Sequence, residues 1–297
     1  MHQSILAYRR MRYLWVAAAI SAAAMIAFAL HRPAEPPNGG TWLGYTLGVA
    51  GTLLIVWLTS FGIRKRSYSS TLGSVQGWLS AHVYLGVALV VIATLHAGMQ
   101  FGWNVHTLAY ALTCLVVASG LLGVWLYLLF PEQMSRNRAA QTREQMLAEL
   151  ADHDRLSARQ AAALGGEFPD VIMSGRDRTM IGGSALALLA GRDRSRILLP
   201  SPHAGGPQQQ RALANPSQTR LLDWLGAQLA ESTDGERTRQ IQELMSLVGA
   251  RRGLLDRLRR DAQIRAWLEA WLYLHIPATF ALIAALIAHI VVVFLYW

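Results

Sequence analysis

Apolar and polar positions fall along this chain in long blocks. Five runs contain no Asp, Glu, Lys or Arg: roughly Tyr13–Leu30, Thr41–Ile63, Gly77–Gly98, Thr107–Phe130 and Trp271–Trp297. About 20 mainly apolar residues make a helix that crosses the hydrocarbon of a bilayer. One polar block, residues 131–270, separates the fourth run from the fifth. The pattern predicts an all-α integral membrane protein with a bundle of five transmembrane helices. Residues 1–130 would supply four of them, and residues 271–297 the fifth. Residues 131–270 would form a mainly helical insert.

Within the insert, 136–152, 219–231 and 236–249 read as helices. The middle, about 166–216, is less regular, and SPHAGGPQQQ (201–210) reads as a loop. Residues 253–269 are amphipathic. They either run on into the fifth span or lie along the membrane surface before it. The insert has no G-x-G-x-x-G, no Gly-Lys-Ser/Thr phosphate loop and no flavin signature.

Composition agrees with a membrane protein. The chain is 53% hydrophobic with mean hydropathy +0.27, and 15% of its residues are charged, against about 25% in ordinary soluble domains. The net charge is +9, and Lys65 is the only lysine. In such a chain the excess arginine points to cytoplasmic loops and lipid headgroups rather than to nucleic acid. Cys114 is the only cysteine. That excludes an intrachain disulfide, a cysteine-ligated iron–sulfur cluster and covalently attached haem. The N-terminus is expected to stay uncleaved, because its apolar run is long and lacks a small-residue cleavage site.

The arginines predict an orientation. Arg9, Arg10 and Arg12 precede the first span, Arg64, Lys65 and Arg66 follow the second, and Arg136 and Arg138 follow the fourth. The loops HRPAEPPNGG (31–40) and FGWNVH (101–106) carry little charge. Positive residues favour the cytoplasmic side. The expected location is therefore a bacterial inner membrane, multi-pass, with a cytoplasmic N-terminus, a cytoplasmic insert and a periplasmic C-terminus. The third and fifth spans then run in the same direction. Trp15, Trp57, Trp78, Trp125, Trp271 and Tyr273 would line the inner interface, with Trp42, Trp103, Tyr296 and Trp297 at the outer one.

Those two parallel spans carry the candidate chemistry. The third holds His82 and His96, the fifth His275 and His289, each pair 14 positions apart. Fourteen helical residues cover about 21 Å and return to within roughly 40° of the same face. His82 and His275 then share the cytoplasmic-side depth, and His96 and His289 the periplasmic-side depth. Two imidazoles facing each other, twice, suit two flat macrocycles whose iron takes two axial nitrogens. Ionisable groups inside a membrane are costly and usually functional; the plain alternative for one histidine is a hydrogen bond to a neighbouring helix. A zinc or iron site built directly on histidines lacks acidic co-ligands.

Gly86, Ala93, Ala278 and Ala285 share the histidine faces. They either make room for porphyrin or are ordinary small packing residues; Gly44, Gly48 and Gly51 carry the same two readings. Pro277 frees the carbonyl of Tyr273 and is expected to bend the fifth helix. Arg64, Lys65, Arg66, Arg136 and Arg138 are candidates for the propionates of the inner haem, with plain positive-inside placement as the alternative. On the outer side the candidates are Arg32, His31 and His106, with Gln100, Trp103 and Asn104 as neutral donors.

This histidine spacing on two helices resembles the transmembrane di-haem b-type cytochromes. In particular it is similar to the membrane domain of the ferric reductases and NADPH oxidases, whose ligands also lie on the third and fifth helices. The resemblance covers residues 41–130 and 271–297. It implies two haem b groups with His82, His96, His275 and His289 as axial ligands, and electron transfer across the bilayer. The chain departs from that family in its long insert and in lacking, after Trp297, a flavin and nicotinamide domain. A quinol or another subunit is thus expected to supply or accept electrons.

Three functions remain in view. The first is an electron-transfer subunit of an oxidoreductase complex. It would link a quinone pool or a cytoplasmic flavoprotein or iron–sulfur protein to a periplasmic cytochrome or iron–sulfur protein. Tyr84, Thr94, Gln100 and Asn104 are its candidates for a quinone contact. The second is a transmembrane ferric or oxygen reductase fed by a separate flavoprotein. The third is a non-redox transporter or sensor. The insert is expected to dock a cytoplasmic partner or to cap the inner haem.

Overall fold

The computed structural model describes residues 6–33, 37–67, 71, 73–138, 141–200 and 211–296, without the side chains of Pro131, Arg136, Arg211 and Tyr296. The predicted loop 201–210 and Trp297 lie outside the described residues. The elements run α1 (Arg12–Leu30), α2 (Trp42–Arg66), α3 (Val75–His96), α4 (Val105–Arg138), α5 (Arg143–Leu164), α6 (Phe168–Asp177), α7 (Ala185–Leu189), β1 (Arg196–Leu199), β2 (Arg211–Ala214), α8 (Thr219–Glu231) and α9 (Gly235–Tyr296). Among the described residues five helices are long and apolar enough to cross a membrane: α1, α2, α3, α4 and α9. The chain divides into two compact units, Met1–Leu126 with Ala270–Trp297, and Tyr127–Glu269.

In the first unit, local chemistry sets the helix ends. The hydroxyls of Thr41 and Ser74 accept from the backbone N–H of Gly44 and Gly77, each at 3.1 Å, and start α2 and α3. Arg64, Lys65 and Arg66 close α2 in its last turn, where cations oppose the negative end of the helix dipole. Gly98, at φ +58° just after α3, would drive a Cβ into the carbonyl of Pro37, so glycine suits that turn. Buried Leu43, Leu47, Ile92 and Leu95 join α2 to α3, with Ala24 from α1. Ile55, Leu58 and Leu89 continue the seam and meet Leu286 of α9. The outward faces are strongly apolar: Trp15, Val49, Leu53, Ile63, Phe280 and Phe294 are all exposed. Water-soluble monomers rarely show contiguous apolar patches of more than a few hundred Å², whereas lipid accepts such a surface.

The second unit is built by the rules of soluble proteins. Phe168, Val171 and Ile172 of α6 pack with Ile197 of β1, Leu221 and Leu225 of α8, and Ile241, Leu244 and Val248 of α9. β1 and β2 pair antiparallel, Arg196 opposite Ala214 and Leu199 opposite Arg211. Buried Arg251 donates through Nε to Asp154 at 2.5 Å and through its terminal nitrogens to Gln218 and Thr179. Asp261, 1% exposed at its side chain, accepts from Arg138 at 2.7 Å and Arg265 at 3.1 Å.

The insert differs from the sequence expectation in two places and decides between two alternatives in a third. Helix 136–152 is two helices: α4 continues to Arg138 and α5 restarts at Arg143. Thr142 and Gln145 form a reciprocal capping box there, a start signal that outweighs the apolar periodicity around it. The irregular middle contains α6, α7 and a two-stranded sheet, held by buried Phe168, Ile197 and Leu221 rather than by local propensity. Residues 253–269 do run on into the last span, because α9 is continuous from Gly235 to Tyr296 and passes through Pro277.

Removing one partner of a buried ion pair strands the other charge, which costs about 3–5 kcal/mol. Arg251→Met is therefore expected to destabilise the second unit by that amount. Asp154→Leu combined with Arg251→Met should cost clearly less. Pulse proteolysis of the intact chain across a urea series measures both.

Candidate functional site

The four intramembrane histidines come together in two pairs within the first unit. His96 of α3 and His289 of α9 have ring centroids 5.9 Å apart at 75°. His82 of α3 and His275 of α9 lie within electrostatic reach of each other. α3 and α9 therefore run in the same direction. Two metal–nitrogen bonds of about 2 Å on opposite sides of one metal put imidazole centroids roughly 6 Å apart. The outer pair already has that separation.

What holds each ring decides what it can do. His96 places Nδ1 2.8 Å from the carbonyl oxygen of Gly44, and His82 places Nδ1 3.1 Å from that of Leu58. A carbonyl oxygen only accepts, so Nδ1 carries the proton and donates. In the neutral ring the lone pair is then on Nε2. At His275, Nδ1 is 2.8 Å from Ser119 Oγ, and that hydroxyl donates to the carbonyl of Val116 at 2.8 Å. With its hydrogen committed there, Ser119 accepts from Nδ1–H of His275. His289 differs, because its Nδ1 sits 2.6 Å from Nδ1 of His106. Among the described residues none of the four Nε2 atoms has a hydrogen-bond partner. A ring fixed by an Nδ1–H donor with Nε2 left over is the usual state of a metal-ligating histidine.

Small residues make these contacts possible. A Cβ on Gly48 would stand 2.8 Å from Cε1 of His96, and one on Gly120 3.5 Å from Cε1 of His275. A Cβ on Gly123 would overlap the indole of Trp271, whose Nε1–H donates to the carbonyl of Ser119 at 2.8 Å. Gly48 thus serves His96; a Cβ on Gly44 would run into the backbone of Asn38 and Gly39 ahead of α2, and Gly51 faces Ile92 and Leu89 at ordinary contact distance. Gly86 behaves differently. It is buried one turn beyond His82, yet a Cβ there meets no atom within 4 Å. Ala278 and Ala285 are buried, and Ala93 is half-buried.

Several of the other candidates have structural partners. Arg64 donates to the carbonyls of Ser67 and Gly73 at 3.0 and 2.6 Å, which ties its guanidinium to the loop after α2. Lys65 and Arg66 are exposed. Arg138 belongs to the second unit and pairs with Asp261; the side chain of Arg136 lies outside the described residues. The polar groups considered for a quinone also have structural partners. Tyr84 donates to the Leu6 carbonyl at 3.0 Å, and Gln100 to the Pro37 carbonyl at 3.2 Å. Thr94 bonds Val90 and Tyr110, and Asn104 caps the N–H of Thr107.

Sequence reasoning missed Ser119, Gly120, Gly123 and the supporting contact of His106. A small-residue cluster one turn wide in the fourth span was a readable signal. The carbonyls of Gly44 and Leu58 carry no residue-type signal. Among the described residues no three His, Cys, Asp or Glu side chains converge on one point that could hold a metal ion. No protein-family model, curated protein or solved structure matches the chain, so the resemblance to di-haem cytochromes rests on these residues alone.

The two glycines give opposite expectations. Gly48→Ala forces a methyl against His96, and overpacking of this kind costs about 1–3 kcal/mol. Gly86→Ala meets open space and gains helix propensity of roughly 0.5–1 kcal/mol. Thermal unfolding of the two haem-free variants in detergent should rank Gly86→Ala at or above the parent and Gly48→Ala below it.

Proposed function

We propose that this chain is a di-haem cytochrome b subunit of a bacterial inner membrane. It carries electrons between a quinone pool or cytoplasmic redox partner and a periplasmic redox partner. The supporting observation is the shared state of the imidazoles. Each has Nδ1 engaged by a neighbouring helix and Nε2 without a hydrogen-bond partner among the described residues, and His96 and His289 stand 5.9 Å apart between ring centroids.

A haem b held by two axial imidazoles is coordinatively saturated and transfers single electrons. His82 and His275 would hold the inner group, and His96 and His289 the outer one. The acceptors on Nδ1 orient each ring and raise its basicity toward iron. Gly86, Ala278 and Ala285 keep bulk away from the ligand faces, and the open space beside Gly86 gives the inner site room. The apolar residues of α2 and α3 around them exclude water. Arg9, Arg10, Arg12, Arg64, Lys65, Arg66 and Arg138 support a cytoplasmic N-terminus and insert through the positive-inside preference. The arginine-rich helices of residues 131–270 would then dock a cytoplasmic partner.

Absorbance spectra of the purified protein test the reading. The expected result is a paired-imidazole b-type spectrum with two haems per chain. His82→Ala and His275→Ala should each remove one haem, and so should His96→Ala and His289→Ala. Partners in one site are not additive, so His82→Ala/His275→Ala should lose no more haem than either single variant. A colourless parent protein, or a double variant that loses both haems, would sink the proposal.

A further inference from the structure

We infer that His106 is a positioning residue for His289, the fourth member of a set of Nδ1 supports, and not itself a ligand. The inference rests on the proposed haem sites and adds a role for a residue outside the ligand set.

The register of the supports carries it. The ligand helix α3 has its histidines 14 positions apart, and α2 answers with acceptors at Gly44 and Leu58, also 14 apart. The first histidine bonds the later acceptor, so α2 runs opposite to α3. The ligand helix α9 has the same 14-residue spacing. α4 answers with Ser119 for His275 and His106 for His289, 13 positions apart and again in reversed order. His106 therefore stands on α4 where the pattern requires a support. Its contact is through Nδ1 to Nδ1 at 2.6 Å, the same ring atom of His289 that the other three histidines give to their supports. The rings meet edge-on, centroids 4.5 Å apart at 86°, which suits an N–H of one pointing at the lone pair of the other. His96, by contrast, lies across from His289 at the separation of a ligand pair. With His289 donating, His106 accepts at Nδ1 and keeps its own proton on Nε2. An imidazole nitrogen is a better acceptor than the hydroxyl or carbonyl that serves the other sites, so His289 would be the most electron-rich of the four ligands.

Two measurements on the full chain in nanodiscs decide this. In the haem-free protein, ring 15N spectra of labelled histidine should show His289 as the Nδ1–H tautomer. His106→Ala should convert it to a tautomer mixture, and His106→Asn, which keeps an acceptor oxygen near the same place, should restore it. In the haem-loaded protein, redox titration should show one of two midpoint potentials rising in His106→Ala and returning toward the parent value in His106→Asn. The inference is overturned by equal tautomer populations in parent and His106→Ala, or by unchanged potentials. It is equally overturned if the outer haem is lost in His106→Ala and not restored by His106→Asn, or if His96→Ala retains the haem that His106→Ala loses. A parent protein that binds no haem would remove the proposed function, while the tautomer comparison would still decide the contact between His289 and His106.

Discussion

An imidazole N–H inside a membrane has no water to bond, and leaving it unpaired costs several kcal/mol. Much of the first unit follows from meeting that requirement at His82, His96, His275 and His289. Every helical carbonyl has a second lone pair beyond the one used by its own helix. The carbonyls of Gly44 and Leu58 use that second lone pair for the rings of α3. To reach it, an imidazole must come close to a neighbouring backbone. This is why a glycine lies beside the contact at Gly48, where a Cβ would stand 2.8 Å from the His96 ring. The same closeness makes the interface selective in register, since a one-residue slip would carry the carbonyl about 100° around its helix.

Two different strategies for burying polar groups coexist in one chain. In the first unit the buried polar contacts are neutral: imidazole to carbonyl, imidazole to hydroxyl, indole to carbonyl. In the second, Arg251, Arg259 and Asp261 form ion-pair networks with Asp154, Asp193, Arg138 and Arg265. The division follows the solvent. Charges near water recover part of their hydration and can be clamped by several partners, whereas in hydrocarbon the neutral form is the affordable one. α9 contributes to both, with arginines in its first half and an uncharged sequence from Ala270 onward.

The spans and the histidine pairs were legible because each rests on residue type and period. Apolar runs of bilayer length, and histidines 14 apart on two helices, need no tertiary information. Their pairing in depth needed only the arginine bias. What stayed illegible depends on backbone or on distant packing. Leu58 supports His82 through an oxygen that any residue has. Ser119 looks like one more small residue in an apolar run until Val116 takes its hydrogen. In the insert, α6 and the strand pair exist because Phe168, Ile197 and Leu221 share a core, and four-residue strands carry too little period to be read alone.

The arrangement of supports also bears on why there are two histidine-bearing helices and two supporting ones. A single helix pair could bury two imidazoles, but both nitrogens of each ring would then fall within one interface and leave no free face. Here α2 and α4 take the Nδ1 sides, and among the described residues Nε2 of each ring is left without a hydrogen-bond partner. The pairs on α2 and α3 are spaced alike at 14 residues, so one register satisfies both ends. On α4 the spacing is 13, and the shift of about 100° that one residue brings is absorbed by a longer side chain at the outer end. Ser119 meets its ring through a short hydroxyl side chain, and His106 meets its ring through a longer imidazole.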